Sequence, residues 1–286
     1  ARGTVDGAEG RLAHRRGGKG LVEVGRGEEA QGEIAGGQGA RLMLNDPWSR
    51  KLAAFKKGTS ALLLRATRLM GRGKTAKAVE LLEELFQREP DNPRVARKLG
   101  VAQASLGHWK QAVTALSLAV WLEPADAELK VSLAWAEIMS GNNEAALKTA
   151  LAALEQDAGD AAAHEARLTA LSNLGRFAEL IEAYDGARTA GLEGASLELA
   201  AGKAQLELGA ADRALAHFER AGKMDPEDAE AQVGCALAQI GLGSKDKAQA
   251  CLERVRALAP DHPALAEVQA GIESLEDDAP RQDPAP

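Results

Sequence analysis

The hydrophobic positions of this chain follow a helical spacing that repeats every 34 residues. From residue 59 to residue 262, six consecutive units carry apolar side chains on one face of a first segment, then a glycine, then a second segment of the same kind. The pattern predicts two helices per unit with a turn between them. Position 15 of the six units is Gly73, Gly107, Gly141, Gly175, Gly209 and Gly243. A repeat of this length without insertion predicts a stack of similar helix pairs.

Further positions of the unit carry the same kind of residue in most copies. Position 20 is alanine in five units and Leu180 in the fourth. Position 27 is also small in most units, and small residues at both positions allow two helices to approach closely. Position 32 is proline in four units, and the last residue of four units is asparagine or aspartate, a common helix N-cap.

The unit resembles the tetratricopeptide repeat, whose motif has a small residue at position 8, alanine at 20, a bulky residue at 24, a small residue at 27 and proline at 32. The second unit, PRVARKLGVAQASLGHWKQAVTALSLAVWLEPAD, matches it at Leu99, Gly100, Gly107, Ala112, Leu116, Ala119 and Pro124. The resemblance implies an all-α fold, a right-handed α-solenoid of antiparallel helix pairs whose first helices line a concave face. The six units are 59–92, 93–126, 127–160, 161–194, 195–228 and 229–262.

The fourth unit departs from this pattern. It has Arg167 and Leu168 at positions 7 and 8, Leu180 at position 20, and the letters GLEG in place of the closing proline. Bulky side chains at positions built for alanine push two helices apart. We therefore expect the loosest packing of the chain, or a change in superhelix curvature, at residues 161–194.

The segments outside the repeats differ from them in composition. Residues 1–42 hold 12 of the 30 glycines and show almost no apolar periodicity, so we expect them to be disordered, unless the natural start is Met43. Residues 43–58 predict an amphipathic N-terminal helix. Residues 263–275 predict a helix that caps the last repeat, and residues 276–286 predict a disordered acidic tail.

Composition excludes several classes of protein. The net charge of −7 and the pI near 5.4 argue against a general nucleic-acid binder. No apolar run suggests a membrane-spanning helix or a signal peptide, so we expect a cytoplasmic location. Cys235 and Cys251 are too few for a disulfide framework or a four-thiolate zinc site. We interpret them as small buried residues, with a redox pair as the alternative.

No group of residues has the spacing of a catalytic or metal site. The five histidines are scattered along the chain and form no recurring cluster with aspartate or glutamate. The letters GRGKT at residues 71–75 suggest a phosphate-binding loop, but Arg68 stands where that loop needs its first glycine, and the preceding residues favour a helix over a strand. We therefore expect no enzymatic activity, no cofactor and no metal.

The resemblance also indicates where a partner would bind. In this family the concave face consists mainly of positions 2, 5, 9 and 12 of each first helix, and an apolar groove open to water usually marks a partner site. The alternative is that these side chains pack against neighbouring first helices or are covered by the ends of the chain. The candidates are Val131, Trp135 and Ile138 as the principal anchor, Leu199, Val233, Leu237 and Ile240 as its extension, and Lys203, Arg94 and Arg97 as groups that could select acidic residues.

The first unit and the helix before it are basic. Residues 46–78 carry a charge of +8, which predicts an acidic partner. Residues 47–57 could lie on an anionic membrane surface, but we favour the alternative that they cover the first repeat. The candidate acidic-partner patch comprises Arg50, Lys51, Lys56, Lys57, Arg65 and Arg68.

These features together predict a non-enzymatic scaffold or adaptor. It would bind a peptide or helix of a partner protein in the concave groove and serve the assembly of a multiprotein complex. The alternative is an assembly factor or secretion-type chaperone that shields an apolar segment of a client protein. No nucleic-acid partner is expected.

Overall fold

The repeats fold into pairs of antiparallel helices. The computed structural model describes the backbone of residues 47–277 and the side chains of residues 58–275, and this part of the chain contains 13 helices and no strand. The helices are α1 (Pro47–Met70), α2 (Thr75–Arg88), α3 (Pro93–Ser105), α4 (Trp109–Leu122), α5 (Ala127–Met139), α6 (Asn143–Leu154), α7 (Ala161–Asn173), α8 (Phe177–Thr189), α9 (Ala195–Glu207), α10 (Ala211–Met224), α11 (Ala229–Gly241), α12 (Lys245–Leu258) and α13 (Leu265–Asp277). The fold is the all-α solenoid that the repeat pattern predicts.

Some predictions lie outside the described residues. They concern residues 1–42, Met43, the tail after residue 277, and the side chains of Arg50, Lys51, Lys56 and Lys57. Backbone contacts divide the chain into residues 1–53 and residues 54–286, and the second group holds all six units.

Helix α1 continues through the boundary that we placed after residue 58. Its C-terminal half is the first helix of unit one, and Gly58 lies inside it. Glycine retains its backbone N–H and therefore continues the helical hydrogen bonding, although it lowers helix stability. The helix predicted after the last unit is also present, as α13, two residues later than expected.

The N-caps expected at the ends of units are observed. In each case a side-chain oxygen accepts a hydrogen bond from a backbone N–H in the first turn of the next helix, which satisfies a donor that the helix leaves free. The pairs are Asn92 with Arg94, Asp126 with Leu129, Asp160 with Ala163, and Asp228 with Glu230. Unit five begins after Gly194, which forms no side-chain cap.

The turn glycines end the first helix of every unit. All six have a positive φ, between 68° and 84°, a conformation that glycine adopts without steric cost. At Gly107, for example, the next residue, His108, donates its N–H to the carbonyl oxygen of Gln103 at 3.0 Å and so closes the helix end. Gly73 has the same role between α1 and α2. The letters GRGKT therefore form a turn between helices and lack the strand that a phosphate-binding loop follows.

Glycine also sets how closely the helices of units five and six approach. Phe218 on α10 is completely buried, and its ring lies against Gly202 of α9 and Gly234 of α11. A Cβ atom would stand 2.7 Å from the ring at Gly202 and 2.3 Å from it at Gly234. Because any side chain at these sites would overlap the ring, both glycines are required by the packing.

Unit four has the loosest packing among the helix pairs of units two to six. Its helices α7 and α8 approach each other at fewer backbone positions than the other pairs do, and α8 lies less closely against α9 than α4 does against α5, α6 against α7 or α10 against α11. An open cleft of about 570 Å³ lies beside His164, Arg167 and Gly186. The Nε atom of Arg167 is buried there without a hydrogen-bond partner. The structure thus confirms the loose packing that we expected in unit four from its residues at positions 7, 8 and 20.

Helix α13 covers the end of the last unit. Val268 and Ile272 of α13 are buried in one apolar cluster with Val233, Leu252 and Val255 of unit six. Without α13 these side chains would face water, so the helix acts as the cap that a stack of repeats requires.

A helix that crosses a bilayer must be both long and predominantly apolar. Between residues 47 and 277, no helix combines sufficient length with sufficient apolar character.

Candidate protein-binding face

The first helices of units two to six form a row. Each contacts the first helix of the next unit, and α11 contacts α13 in the same way, whereas the second helices show no contact of similar extent among themselves within the described residues. In a stack of helix pairs, the layer whose members approach each other is the inner one. We call the side of this row that carries positions 2, 5, 9 and 12 the first-helix face.

A small cleft lies in the middle of this face, between α5, α7 and α9. It has a volume of about 120 Å³ and is lined by Trp135, Glu165, Leu168, Thr169, Ser196, Leu197 and Ala200. The half-buried indole of Trp135 packs against the apolar core on one side and borders the cleft on the other. We call this site the Trp135 cleft.

The rim of the Trp135 cleft is polar. The hydroxyl of Ser196 donates a hydrogen bond to Glu165, and the hydroxyl of Thr169 donates to the backbone oxygen of Glu165 at 2.8 Å. Ser196 therefore fixes the position of the Glu165 carboxylate, whose oxygens can accept hydrogen bonds from a ligand. The site combines one large apolar wall with an acceptor group.

The other two members of the predicted anchor are not open to solvent. Val131 is only 8% exposed and Ile138 only 7% exposed, and both lie in core clusters beside Trp135. Their side chains pack against neighbouring helices and form part of the apolar core that the indole of Trp135 contacts. Their part in binding a partner stays a prediction.

Unit six is largely closed by α13. Val233 is buried, and Leu237 and Ile240 pack against the cluster that holds Val268 and Ile272. A Cβ atom at Gly271 of α13 would stand 2.8 Å from the Ile240 side chain. The extension of the groove into unit six is therefore occupied by the chain's own helix.

Unit five contributes Leu199 and Lys203. Leu199 is half-buried against the cluster around Phe218, while Lys203 is exposed and forms an ion pair of 2.8 Å with Glu230. The hydrogen bond from Lys203 lowers the pKa of the Glu230 carboxyl, and the positive charge of Lys203 acts in the same direction. Lys203 is thus already paired within the chain.

The two arginines of unit two differ in whether they form an ion pair within the chain. Arg97 forms an ion pair with Asp126 and lies 3.9 Å from Glu123 and 3.8 Å from Glu128. Arg94 is exposed and forms no ion pair with any residue whose side chain is described. Of the three basic candidates on the face, Arg94 is the one whose charge is available to a ligand.

The acidic-partner patch is described only in part. Arg65 and Arg68 are exposed on α1. A cavity of about 530 Å³ beside Arg65 is lined by Lys77 but also by Glu80 and Glu84. The described part of this surface therefore carries both signs of charge.

Sequence reasoning missed part of the Trp135 cleft and one large exposed side chain. Glu165, Thr169 and Ser196 stand at positions 5, 9 and 2 of their units, but an apolar criterion passes over them. Trp121, at position 29 of unit two, is 74% exposed on the second helix α4, outside the first-helix face. Only the periodicity of the second helix, which leaves position 29 off the buried stripe, could have indicated it.

The described histidines have structural partners. The Nδ1 atom of His108 lies 2.7 Å from the Gln103 amide oxygen, and His164 donates from Nε2 to the backbone oxygen of Ala158 at 3.0 Å. His217 and His262 pair with glutamates. Among the described residues, no group of three or more histidine, cysteine, aspartate or glutamate side chains could hold a metal ion.

Two segments of the chain match a known sequence family. A profile of the tetratricopeptide repeat matches residues 69–120 and residues 205–272. Among curated protein sequences, none matches the chain significantly.

Comparison with solved structures shows similar folds. PilW, a type IV pilus biogenesis factor, matches with a TM-score of 0.64 at 14% identity, over 74% of this chain and 98% of its own. YrrB, described as a tetratricopeptide repeat protein with an unusual peptide-binding site, matches with a TM-score of 0.53 at 15% identity, over 67% of this chain and 99% of its own. A tetratricopeptide repeat protein of Thermus thermophilus matches with a TM-score of 0.51 at 20% identity, over 65% and 99%. At these identities the likeness is one of fold.

Proposed function

Because the chain belongs to the tetratricopeptide repeat family, we propose that it is a non-enzymatic scaffold or adaptor that binds a peptide or helix of a partner protein on its first-helix face. The observation that carries this proposal is the Trp135 cleft. In this cleft, a large aromatic side chain borders an open space on the side of the stack where the first helices contact one another. We expect such binding to serve the assembly of a multiprotein complex, and a cytoplasmic location stays a prediction.

The Trp135 cleft suits a single apolar side chain. Its volume of about 120 Å³ equals that of roughly four water molecules at ~30 Å³ each, which is the size of a small aliphatic group. An apolar side chain there would gain contact with the indole of Trp135, and aromatic residues in such clefts commonly dominate binding energy. Glu165 at the rim would accept a hydrogen bond from a backbone N–H of the ligand.

Selection of acidic residues is proposed only towards the N-terminal end of the face. Lys203 and Arg97 are neutralised within the chain, while Arg94, Arg65 and Arg68 are exposed. Near Trp135 the fixed charge is the carboxylate of Glu165. A bound segment would therefore place its apolar side chain at Trp135 and any acidic residue closer to unit two.

The chaperone alternative requires a longer apolar groove than the face provides. Val131, Ile138 and Val233 are buried, and α13 covers unit six. Within residues 58–275, these buried side chains do not extend the Trp135 cleft into a continuous apolar strip. This arrangement supports recognition of a short segment more than the shielding of an extended client.

Two variants and one matched control test the proposal. Trp135→Ala removes the aromatic wall, Ala200→Leu fills the cleft while leaving Trp135 in place, and Trp121→Ala removes an exposed tryptophan from the outer helix layer. Partners of the tagged full chain would be identified by co-purification, mass spectrometry and cross-linking to the face. We expect both cleft variants to lose the same partner and Trp121→Ala to retain it.

Thermal unfolding of each variant would show whether it is folded. Retention of every partner by folded Trp135→Ala and Ala200→Leu proteins would refute binding at the Trp135 cleft. Loss of the partner in Trp121→Ala alone would move the binding site to the second-helix layer.

A further inference from the structure

The two cysteines of this chain lie side by side in unit six. Cys235 stands on α11 and Cys251 on the facing helix α12, sixteen positions later in the sequence. Both side chains pack in the cluster around Phe218 and line the same cavity. Cys235 is only 6% exposed, whereas Cys251 is half-buried. One sulfur is thus sheltered and the other can be reached.

An open cavity gives access to this pair. It has a volume of about 250 Å³ and both cysteines line it, together with Lys223, Arg254, Glu219 and Gln239. A cavity of this size is wide enough for a small reagent, since a water molecule occupies ~30 Å³. The two basic side chains outnumber the single carboxylate at its wall, which favours a thiolate at the reachable sulfur.

The hydrogen bond between the thiols makes them chemically unequal. Donation from Cys235 lowers the pKa of Cys251 to about 7, and burial opposes this shift while the charge of Arg254 adds to it. The same hydrogen bond, together with burial, raises the pKa of Cys235. Because its pKa is lowered and its side chain is less buried, Cys251 is the better nucleophile of the two.

We propose that Cys251 and Cys235 form an oxidisable dithiol that reacts with hydroperoxides, with Cys251 as the attacking residue and Cys235 as the resolving residue. The arrangement has the three parts that such chemistry needs: a reachable cysteine, a second cysteine on the wall of the same cavity, and an opening to solvent. Packing alone would require none of these, because alanine or valine fills a helix interface without them.

The reaction balances with a hydroperoxide as the oxidant. The Cys251 thiolate attacks the terminal peroxide oxygen, the O–O bond breaks, and the departing alkoxide or hydroxide takes up a proton, which leaves a sulfenic acid on Cys251. The Cys235 sulfur then attacks the Cys251 sulfur, an S–S bond forms, and the hydroxyl leaves as water with the proton of Cys235. The two thiols lose two electrons in total, and the peroxide gains them.

The resulting disulfide would join the two helices of unit six. It would close a loop that includes the turn at Gly243 and would tie α11 to α12 directly beneath the residues that α13 covers. A small dithiol reductant would reverse the bond. This chemistry is independent of binding at the Trp135 cleft, so each proposal can fail without the other.

The test uses the full chain, reduced and then freed of reductant. Hydrogen peroxide would be added at neutral pH, and the products followed by intact-mass spectrometry without reduction and by peptide mapping. We expect the mass of the monomer to fall by about 2 Da, the mass of two hydrogens, with residues 235 and 251 linked. In Cys235→Ser we expect a sulfenic acid to accumulate at Cys251 and to be trapped by a 1,3-dione reagent.

The reciprocal variant and an unfolded control separate this site from ordinary thiol oxidation. In Cys251→Ser we expect Cys235 to react at least about tenfold more slowly than Cys251 does in Cys235→Ser, because Cys235 is only 6% exposed whereas Cys251 is half-buried at the wall of the open cavity. In urea the two cysteines should react at similar rates. Equal rates in the folded protein, disulfides only between chains, or oxidation of methionine before either cysteine would overturn the proposal.

Discussion

At the scale of single residues, Glu198 shows how the stack accommodates a charge between helices. This residue of α9 is 1% exposed, and its carboxylate accepts a hydrogen bond from the Tyr184 hydroxyl at 2.7 Å and from the Arg220 Nε at 3.0 Å. The Nδ1 atom of His217 lies 2.8 Å from the same carboxylate. Burial alone would raise the pKa of Glu198, but these hydrogen bonds outweigh it and the pKa is lowered. Burial and the bond to Glu198 also raise the pKa of Tyr184 to about 12, so the phenol stays protonated.

The lowered pKa of Glu198 predicts a stability difference that depends on pH. The carboxyl has a lower pKa in the folded chain than in the unfolded one, so its contribution is present above the unfolded pKa and is lost as pH falls through the folded pKa. At pH 7 we expect Glu198→Gln to lower the free energy of unfolding by about 1–3 kcal/mol. This difference in the free energy of unfolding should shrink as the pH approaches 3. Urea unfolding curves of both proteins, measured across this pH range, provide the test.

Glu207→Gln is the matched control for this experiment, because Glu207 lies on the same helix but is exposed. We expect its effect on the free energy of unfolding to stay within about 0.5 kcal/mol. A difference between the parent and Glu198→Gln that is the same at pH 7 and near pH 3 would contradict the assignment. The comparison is made with the parent protein at each pH, so that contributions shared by both proteins cancel.

Arg167 supplies a second prediction at this scale. Its Nε atom is buried without a hydrogen-bond partner at a position that is Leu99 in unit two and Leu133 in unit three. A buried donor without a partner costs about 1–3 kcal/mol, so we expect Arg167→Leu to raise the free energy of unfolding by about 1 kcal/mol. Urea unfolding measures this change. Arg213→Leu, at an exposed site on α10, should change stability by less than about 0.5 kcal/mol, and a destabilised Arg167→Leu protein would show that the guanidinium has a partner.

At the scale of the helix, glycine has two opposite roles that a matched pair of variants distinguishes. Gly234 of α11 lies against the Phe218 ring, whereas an added Cβ atom at Gly186 of α8 would meet no atom within 4 Å. We expect Gly234→Ala to destabilise the protein by about 1–3 kcal/mol, because an extra methyl group overfills the packed interface. We expect Gly186→Ala to stabilise it by about 0.5–1 kcal/mol, because alanine loses less entropy in a helix.

Thermal unfolding of the two glycine variants provides the measurement. Both sites lie inside helices, so helix propensity alone predicts the same sign for both. Opposite signs of the two stability changes would show that the close approach of the Phe218 ring determines the effect of the substitution at Gly234. Stabilisation by both changes would mean that the Phe218 ring can move aside without cost.

At the scale of the whole stack, the fold depends on having its last unit covered. Ile272 and Val268 of α13 are buried on the apolar surface of unit six, while Ala270 on the same helix is exposed. We expect Ile272→Asp to release α13, because a carboxylate cannot remain ionised in that cluster without a partner. Amides of α11 and α12 should then lose protection in hydrogen exchange, and Leu237 and Ile240 should become accessible.

Ala270→Asp is the control, since it adds the same charge to the opposite side of α13. We expect it to leave the exchange of α11 and α12 unchanged. Unchanged protection in Ile272→Asp would show that unit six is stable without its cap and that α13 is an accessory element.

Much of the fold could be predicted because its elements are set by local rules. The 34-residue spacing, the turn at Gly107, the N-cap at Asp126 and the alanines at position 20 all act within one unit, and each is present as expected. Even the loose packing of unit four follows from side-chain volumes at known positions, Leu168 at position 8 and Leu180 at position 20. The helix pairs and their order were therefore readable from the sequence.

The state of each side chain on the first-helix face was determined by the tertiary structure. Val131 and Trp135 belong to the same predicted face, yet the first is buried and the second borders an open cleft, because the helices of the next units cover one and not the other. Arg97 meets Asp126 and Cys235 meets Cys251 for the same reason. Periodicity assigns a residue to a face of its own helix, but its exposure and its partners depend on side chains that other helices bring to it.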